Sequence, residues 1–479
     1  MILSDHKTKI VCTIGPSSSS EEMIRGLILR GMNVARLNFS HGELSDHREI
    51  IYRIRKISRE MDKIVPILVD LPGPKIRIGT LSKEPLLLQQ GEIVILTSSA
   101  EFMGDSFIPV DFPKLTESVS PGSLIYINDG FLQLECLEVS GQNVKCKVIV
   151  GGELTSHKGV NLPGSDVFLE PVTENDLKVI DFSLEEGLDC FSISFIESAD
   201  DIKKIREYAE SKEKKVFLVA KIEREKAVKN IDSILLEADA IMIARGDLGV
   251  EIPIEDVPIV QKKIIHKANL LSIPVITATQ MLESMTSNIR PTRAEATDVA
   301  NAIIDGTDAV MLSAETAVGK YPLATVEMMA KIATKTEKWR GTSKTGISQM
   351  KKAMAKMQLQ IDDIISLQIN EALQQLPIKY VLVPTASGET CRRVSRFRPD
   401  VWVIGFSRYP HTCNIMAFQY GVHPIFVKGQ VTDWEQKAFE KLRQYALYIP
   451  GELVIITQGQ TAGHGIKGGT NLLKFIRLE

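Results

Sequence analysis

Cysteine is scarce in this chain: six residues in 479, at positions 12, 136, 146, 190, 391 and 413, with no close CxxC pair. That scatter argues against a zinc ribbon or a redox dithiol and predicts reduced thiols. A surplus of positive charge is missing as well. Lys and Arg number 57 against 60 Asp and Glu, for a net charge of −3, so no nucleic-acid surface is expected and the substrate should be small. No apolar run is long enough to span a bilayer, and the opening MILSDHKTKIVCTIG has no basic stretch leading into an apolar signal core. We therefore expect neither membrane insertion nor export, and a cytoplasmic location. Disorder is excluded by the balance of 44 % hydrophobic and 24 % charged residues.

What is present is a repeating α/β pattern in a chain too long for one hydrophobic core. Short β-branched runs alternate with helix-length amphipathic segments: KIVCTIG (9–15), MNVARLNF (32–39), KIVPILVDL (63–71), DCFSISF (189–195), VFLVAKIE (216–223), AIMIARGD (240–247), PVITAT (274–279) and AVMLSAET (309–316). Eight such strands predict a (β/α)8 TIM barrel, built from residues 1–71 and 169–345. Between residues 72 and 168 the helical period gives way to strand-like runs such as EIVILTSS, SLIYINDG and VKCKVIV, the pattern of an inserted, β-barrel-like lid domain. Residues 346–479 return to α/β alternation and form a C-terminal α/β domain.

Barrel enzymes keep their chemistry at the C-terminal ends of the strands, and those ends are polar here. They would bring Arg36, Lys221, Glu223, Asp247, Thr279 and Ser313 to one mouth, with Asp70 ending the third strand. Lys221 and Glu223 stand two apart and so share a face. Taken alone, that pair fits a structural salt bridge as well as a catalytic one. Asp247, on the neighbouring strand, adds the second carboxylate that a hard divalent cation, Mg²⁺ or Mn²⁺, would need. Gly246, in ARGDLGVE, offers bare backbone amides for an anion, or merely permits a tight turn. Thr279 and Ser313 read as structural from the residues alone, and Thr292 with Glu295 has capping-box spacing. A metal, a lysine and the arginines Arg36 and Arg77 together make equipment for phosphoryl transfer.

The chain also resembles the pyruvate kinase family along essentially its whole length: TKIVCTIGPSS, GMNVARLNFSHG, GVNLPG, ISFIES, KIE, IMIARGDLGVEIP, ITATQMLESM and RPTRAEATDVANAIIDGTDAVMLSAETAVGKYP. The resemblance implies transfer of the phosphoryl group of phosphoenolpyruvate to ADP, giving pyruvate and ATP, with the metal on Glu223 and Asp247. Lys221 would then stabilise the phosphoryl group and the enolate, and Arg36 would hold the phosphoryl group. Gly246, Asp247 and Thr279 would receive the substrate carboxylate. Asn38, Ser40, His41, Arg77 and Lys158 would lie along the nucleotide, and enolate protonation would pass near Thr279 and Ser313. A homotetramer enters by the same analogy.

Two departures qualify the resemblance. Many family members read D-T-K-G-P-E-I-R where this chain has DLPGPKIR. In the glutamate members a K⁺ ion sits on residues corresponding to Asn38, Ser40, Asp70 and the carbonyl of Leu71. Lys75 is expected to place its ammonium at or beside that position, held by Asp70 with roughly 4 kcal/mol at about 4 Å in an effective dielectric near 20, so that K⁺ is not required. Asn175 stands where many relatives carry lysine. In the C-terminal domain, PTASGETCRR places Thr385, Ser387, Gly388 and Thr390 as a phosphate cradle, with Lys467 in the region of a covering loop. Ala386 and Glu389 favour a monophosphate effector over a bisphosphate, and a plain helix cap is the alternative. Rival functions are a nucleotide-independent enolate-forming barrel enzyme and a catalytically idle effector-binding protein.

Overall fold

The computed structural model describes residues 3–99, 107–128, 130–164, 171–340, 345–356, 358–459 and 469–479. Eight parallel strands close into a barrel: β1 (Lys9–Thr13), β2 (Val34–Asn38), β3 (Ile67–Asp70), β4 (Cys190–Ile193), β5 (Phe217–Ile222), β6 (Ala240–Ala244), β7 (Val275–Ala278) and β8 (Ala309–Leu312), each beside its sequence neighbours and β8 beside β1. The strands end earlier than their apolar runs suggest. Glu223 lies just past β5, and Asp247 falls in the first turn of a short helix, Arg245–Glu251, that starts where β6 stops.

Strand alternation separates two cores. Leu218, Ala220 and Ile222 of β5 join the apolar layer between barrel and helices, whereas Phe217 and Val219 join the barrel interior with Val11, Val34, Leu68, Cys190 and Met242. Continuing each inward series by two residues reaches Thr13, Arg36, Asp70, Ser192 and Lys221. The interior is therefore apolar below and charged at its top. The capping box expected at Thr292 and Glu295 forms and starts the helix Arg293–Asp305.

The inserted segment between β3 and the helix Glu174–Glu185 carries a six-stranded sheet, a separate two-stranded pair and its own apolar core. The chain turns into it at Gly73, whose φ is 64° and where a Cβ would approach Ser194 Cβ to 2.9 Å; only glycine accepts both constraints. Gly73 N also donates to Asp176 Oδ1 at 3.0 Å, and Asp176 closes the capping box of Thr173. One carboxylate thus ties the way into the lid to the helix that follows it.

The C-terminal domain is a five-stranded sheet, four strands parallel and the last, Thr470–Arg477, antiparallel to Leu453–Gly459. It is locked to the barrel. Phe418 is fully buried in the barrel-interior cluster, its ring 5.1 Å from that of Phe217. Arg398 donates to both carboxylate oxygens of Asp308, at 2.6 and 2.9 Å, and Asp308 in turn accepts from Tyr420 N and Val275 N. All six cysteines are buried and unpaired, and no helix among the described residues is long and apolar enough to cross a membrane.

Removing the cation from that tie leaves Asp308 buried and uncompensated. Arg398→Met is expected to cost about 3–5 kcal/mol, seen as a fall in thermal midpoint; an unchanged midpoint would show that the tie contributes nothing.

Candidate active site at the barrel mouth

The charged layer at the top of the barrel is one connected network. Lys221 Nζ lies 2.9 Å from Glu223 Oε1 and 3.3 Å from Asp70 Oδ1, and it donates to Ser194 Oγ at 2.8 Å. Asp70 also accepts from Arg36 Nη2 and Ser192 Oγ, both at 2.5 Å. Arg36 reaches Thr13 Oγ1 at 2.8 Å, while its Nε is buried with no partner among the described residues. An orphaned guanidinium donor at the rim is what an incoming anion would satisfy.

Burial and charge oppose each other throughout. For Lys221, burial works against the ammonium, but Asp70 and Glu223 outweigh it and raise its pKa above the ordinary value. Burial pushes the Asp70 carboxyl up, yet Arg36, Lys221 and the Ser192 hydroxyl together bring it down to about 2. Glu223 is raised, first by burial and further by Asp247, with Lys221 opposing. Its other oxygen accepts Phe195 N at 2.7 Å. Two carboxylates at the rim, Glu223 raised by burial and by the charge of Asp247, suit a hard divalent cation, so the residues present fit one.

Across the mouth, Gly246 N donates to Thr279 Oγ1 at 2.8 Å, and that hydroxyl donates to Ala278 O at 2.6 Å. The amide foreseen as open to substrate is therefore already paired. Thr279 has a φ of 68°, strained for a β-branched residue, and Arg245 Nη2 holds its carbonyl at 2.7 Å while Arg245 Nη1 is anchored on Asp298. Ser313 starts the short helix Ala314–Ala317, its N–H donating to buried Glu315 at 2.6 Å.

On the lid side, Asn38 Oδ1 accepts Ser40 N at 3.1 Å, Arg77 donates to His157 O at 3.0 Å, and Lys158 O accepts Ile78 N at 2.8 Å. Burial lowers the pKa of His41, and the charges of Arg77, Lys75 and Arg36 lower it further. The expected Lys75–Asp70 contact is corrected. Asp70 is taken up by Arg36, Lys221 and Ser192, and Lys75 Nζ lies instead 3.6 Å from Asp247 Oδ1. Its stem runs under Gly159, where a Cβ would come within 2.8 Å of Lys75 Cε.

In the C-terminal domain, Thr385 Oγ1 accepts Gly388 N at 2.8 Å, Ser387 Oγ accepts Glu389 N at 3.4 Å, Gly388 has a φ of 81°, and Thr390 Oγ1 lies 2.6 Å from Thr470 Oγ1. Glu389 turns back to pair with Arg393 at 2.8 Å. Asn175 is exposed on the first turn of its helix. Lys467 lies outside the described residues. Residue-by-residue reading missed Ser192 and Ser194, although the alternation in CFSISF places both on the inward face, and it missed the Arg245–Asp298 clamp, which joins elements 53 positions apart.

The family "Pyruvate kinase, barrel domain" matches residues 5–326, and "Pyruvate kinase, alpha/beta domain" matches residues 363–476. A pyruvate kinase of Thermococcus litoralis is 44 % identical over 480 residues, covering 100 % of both chains. One of Staphylococcus aureus is 41 % identical over 98 % of this chain and 80 % of its own. The crystal structure of a pyruvate kinase from Cryptosporidium parvum superposes with a TM-score of 0.90 at 34 % identity, covering 99 % of this chain and 97 % of that one.

The depressed Asp70 carboxyl carries a stability consequence. Its folded value of about 2 lies below the ordinary 3.8, so its contribution, about 2 kcal/mol, is complete above pH 4 or so and is lost as pH falls towards 2. Asp70→Asn should therefore lower the thermal midpoint at neutral pH, with the gap to wild type beginning to narrow below about pH 4. A gap independent of pH would contradict this.

Proposed function

Since the chain belongs to the pyruvate kinase family, we propose that its barrel mouth transfers the phosphoryl group of phosphoenolpyruvate to ADP, giving pyruvate and ATP. The observation that carries this reading is the position of Lys221: a permanently charged ammonium fixed by Asp70, Glu223 and Ser194, and pre-aimed at the mouth. Such a cation needs no reorganisation when negative charge develops on the phosphoryl group and the enolate oxygen, which is the condition for stabilising the transition state more than the ground state. Arg36, with its unpaired Nε, holds the phosphoryl group.

Glu223 and Asp247 would hold Mg²⁺ or Mn²⁺, which when bound supplies further stabilisation of phosphoryl and enolate oxygens. The substrate carboxylate docks on the backbone amides of Gly246 and Asp247, and to do so it displaces the Thr279 hydroxyl from Gly246 N; the freed hydroxyl is then available to the substrate. Arg245 keeps the Thr279 backbone in its left-handed conformation during that exchange. Thr279 and Ser313 flank the route by which the enolate is protonated. The nucleotide lies along Asn38, Ser40, His41, Arg77 and Lys158, closing the mouth from the lid side. Nucleotide-dependent formation of pyruvate in a coupled assay is the direct test; ADP-independent turnover would favour the rival enolate chemistry, and no turnover the idle protein.

Lys75 serves in place of a monovalent cation. Its direct partner is Asp247 at 3.6 Å, and its charge adds to burial and Arg77 in lowering the pKa of His41. Turnover should accordingly persist in K⁺-free buffer, and Lys75→Glu should acquire a K⁺ requirement; a wild-type enzyme that needs added K⁺ refutes the assignment. Gly159→Ala, by pushing the Lys75 stem aside, should raise KM while leaving the fold intact.

The loop of Thr385, Ser387, Gly388 and Thr390 binds a phosphorylated effector, a monophosphate rather than a bisphosphate. Because Glu389 is paired with Arg393, its repulsion of a second phosphate is weakened, and the preference rests more on the absence of a basic residue at Ala386. At limiting phosphoenolpyruvate, a sugar monophosphate or AMP should activate; activation by fructose 1,6-bisphosphate alone would reverse the preference.

A further inference from the structure

Between the barrel and the C-terminal domain lies a cleft of about 530 Å³ that the chemistry above leaves unused. Its walls come from the helix Ala199–Ser211, the end of Ile231–Glu237, the turn after Val257–Leu270, the residues before Ile361–Gln375, and the helix Glu389–Ser395. Four arginines line it, and three are committed. Arg206 binds Asp239 at 3.0 Å, Arg393 binds Asp363 at 2.5 Å and Asp362 at 2.8 Å, and Arg396 binds Asp363 at 2.9 Å. Arg392 differs. Its side chain has no hydrogen bond or ion pair among the described residues, and its Nε is shut off from solvent without an acceptor. Burial pulls its pKa down, and Glu389 and Asp239 only partly offset that.

A half-buried guanidinium with no side-chain partner, its Nε reached by neither solvent nor an acceptor, is costly to the fold. It is tolerated where a ligand supplies the acceptors, and a planar fork is matched by the oxygens of a phosphate. Leu235, Leu271, Met354 and Leu359 give part of the wall an apolar face, and the acids that also line the cleft, Glu237, Asp239, Asp363 and Glu389, are paired with Lys203, Arg206, Arg393 and Arg396. We propose that this cleft is a second ligand site, for a small phosphate monoester whose body carries a flat or aliphatic face: the phosphate on Arg392, the body against Leu271 and Leu359. It takes no residue from the barrel mouth or from Thr385–Gly388, so it stands whether or not that loop binds an effector.

Phenyl phosphate, inorganic phosphate and phenol, titrated calorimetrically into the intact protein, separate the two halves of the ligand. Phenyl phosphate should bind at least tenfold more tightly than either fragment. Arg392→Met should weaken it at least tenfold while leaving the unliganded thermal midpoint equal or higher, since the lost guanidinium has no partner in the fold; a purely structural arginine would lower it. Leu271→Asp, at a position 38 % exposed, should weaken binding by repulsion without disturbing the core. Thr385→Ala should leave it unchanged. Undetectable binding of phenyl phosphate, binding insensitive to Arg392→Met, or binding abolished by Thr385→Ala overturns the proposal.

Discussion

Lys221 keeps its charge where burial would otherwise remove it, because Glu223 and Asp70 stand 2.9 and 3.3 Å away. Everything else at the mouth is arranged around that ammonium. Asp70 in turn fixes Arg36, whose other end rests on Thr13, so strands β1, β2, β3 and β5 are joined by side chains above the apolar interior. In the β4 run Ser192 donates to Asp70, and Ser194 accepts from Lys221 while donating to Leu71 O. Remove the ammonium and Glu223 loses its ion pair, while Asp70 keeps only the one with Arg36.

The same constraint explains Lys75. With both oxygens of Asp70 taken up by Arg36, Lys221 and Ser192, the lysine in the turn pairs with Asp247 instead. Reaching Asp247 takes the stem under Gly159 in the lid, so a residue of the doorway, a glycine of the lid and a carboxylate of the barrel are mutually fitted. Charge at the mouth and position of the lid are thereby linked through a single side chain.

What could be read from the sequence divides along physical lines. The barrel, the lid and the C-terminal domain follow from periodicity, and the inward face of β5 follows from the strand's period of two: Phe217, Val219 and Lys221 alternate with Leu218, Ala220 and Ile222 without exception. The capping box at Thr292 was legible because it is local. Lys75 was not, because it sits in a turn, where no period says which way a side chain points, and because its partner depends on which acceptors are already taken. The pairing of Thr279 with Gly246 N was hidden for a related reason, since it requires knowing a backbone conformation that β-branched residues seldom adopt.

Phe418 belongs by sequence to the C-terminal domain, yet by packing it belongs to the barrel, where it meets Phe217 at the foot of the stack that leads up to Lys221. The barrel is thus a vessel whose stopper is supplied by another domain. A chain shortened to its catalytic portion would leave the bottom of the barrel open beneath Phe217, and movement of the C-terminal domain would be felt first in the column of side chains that supports the reacting end.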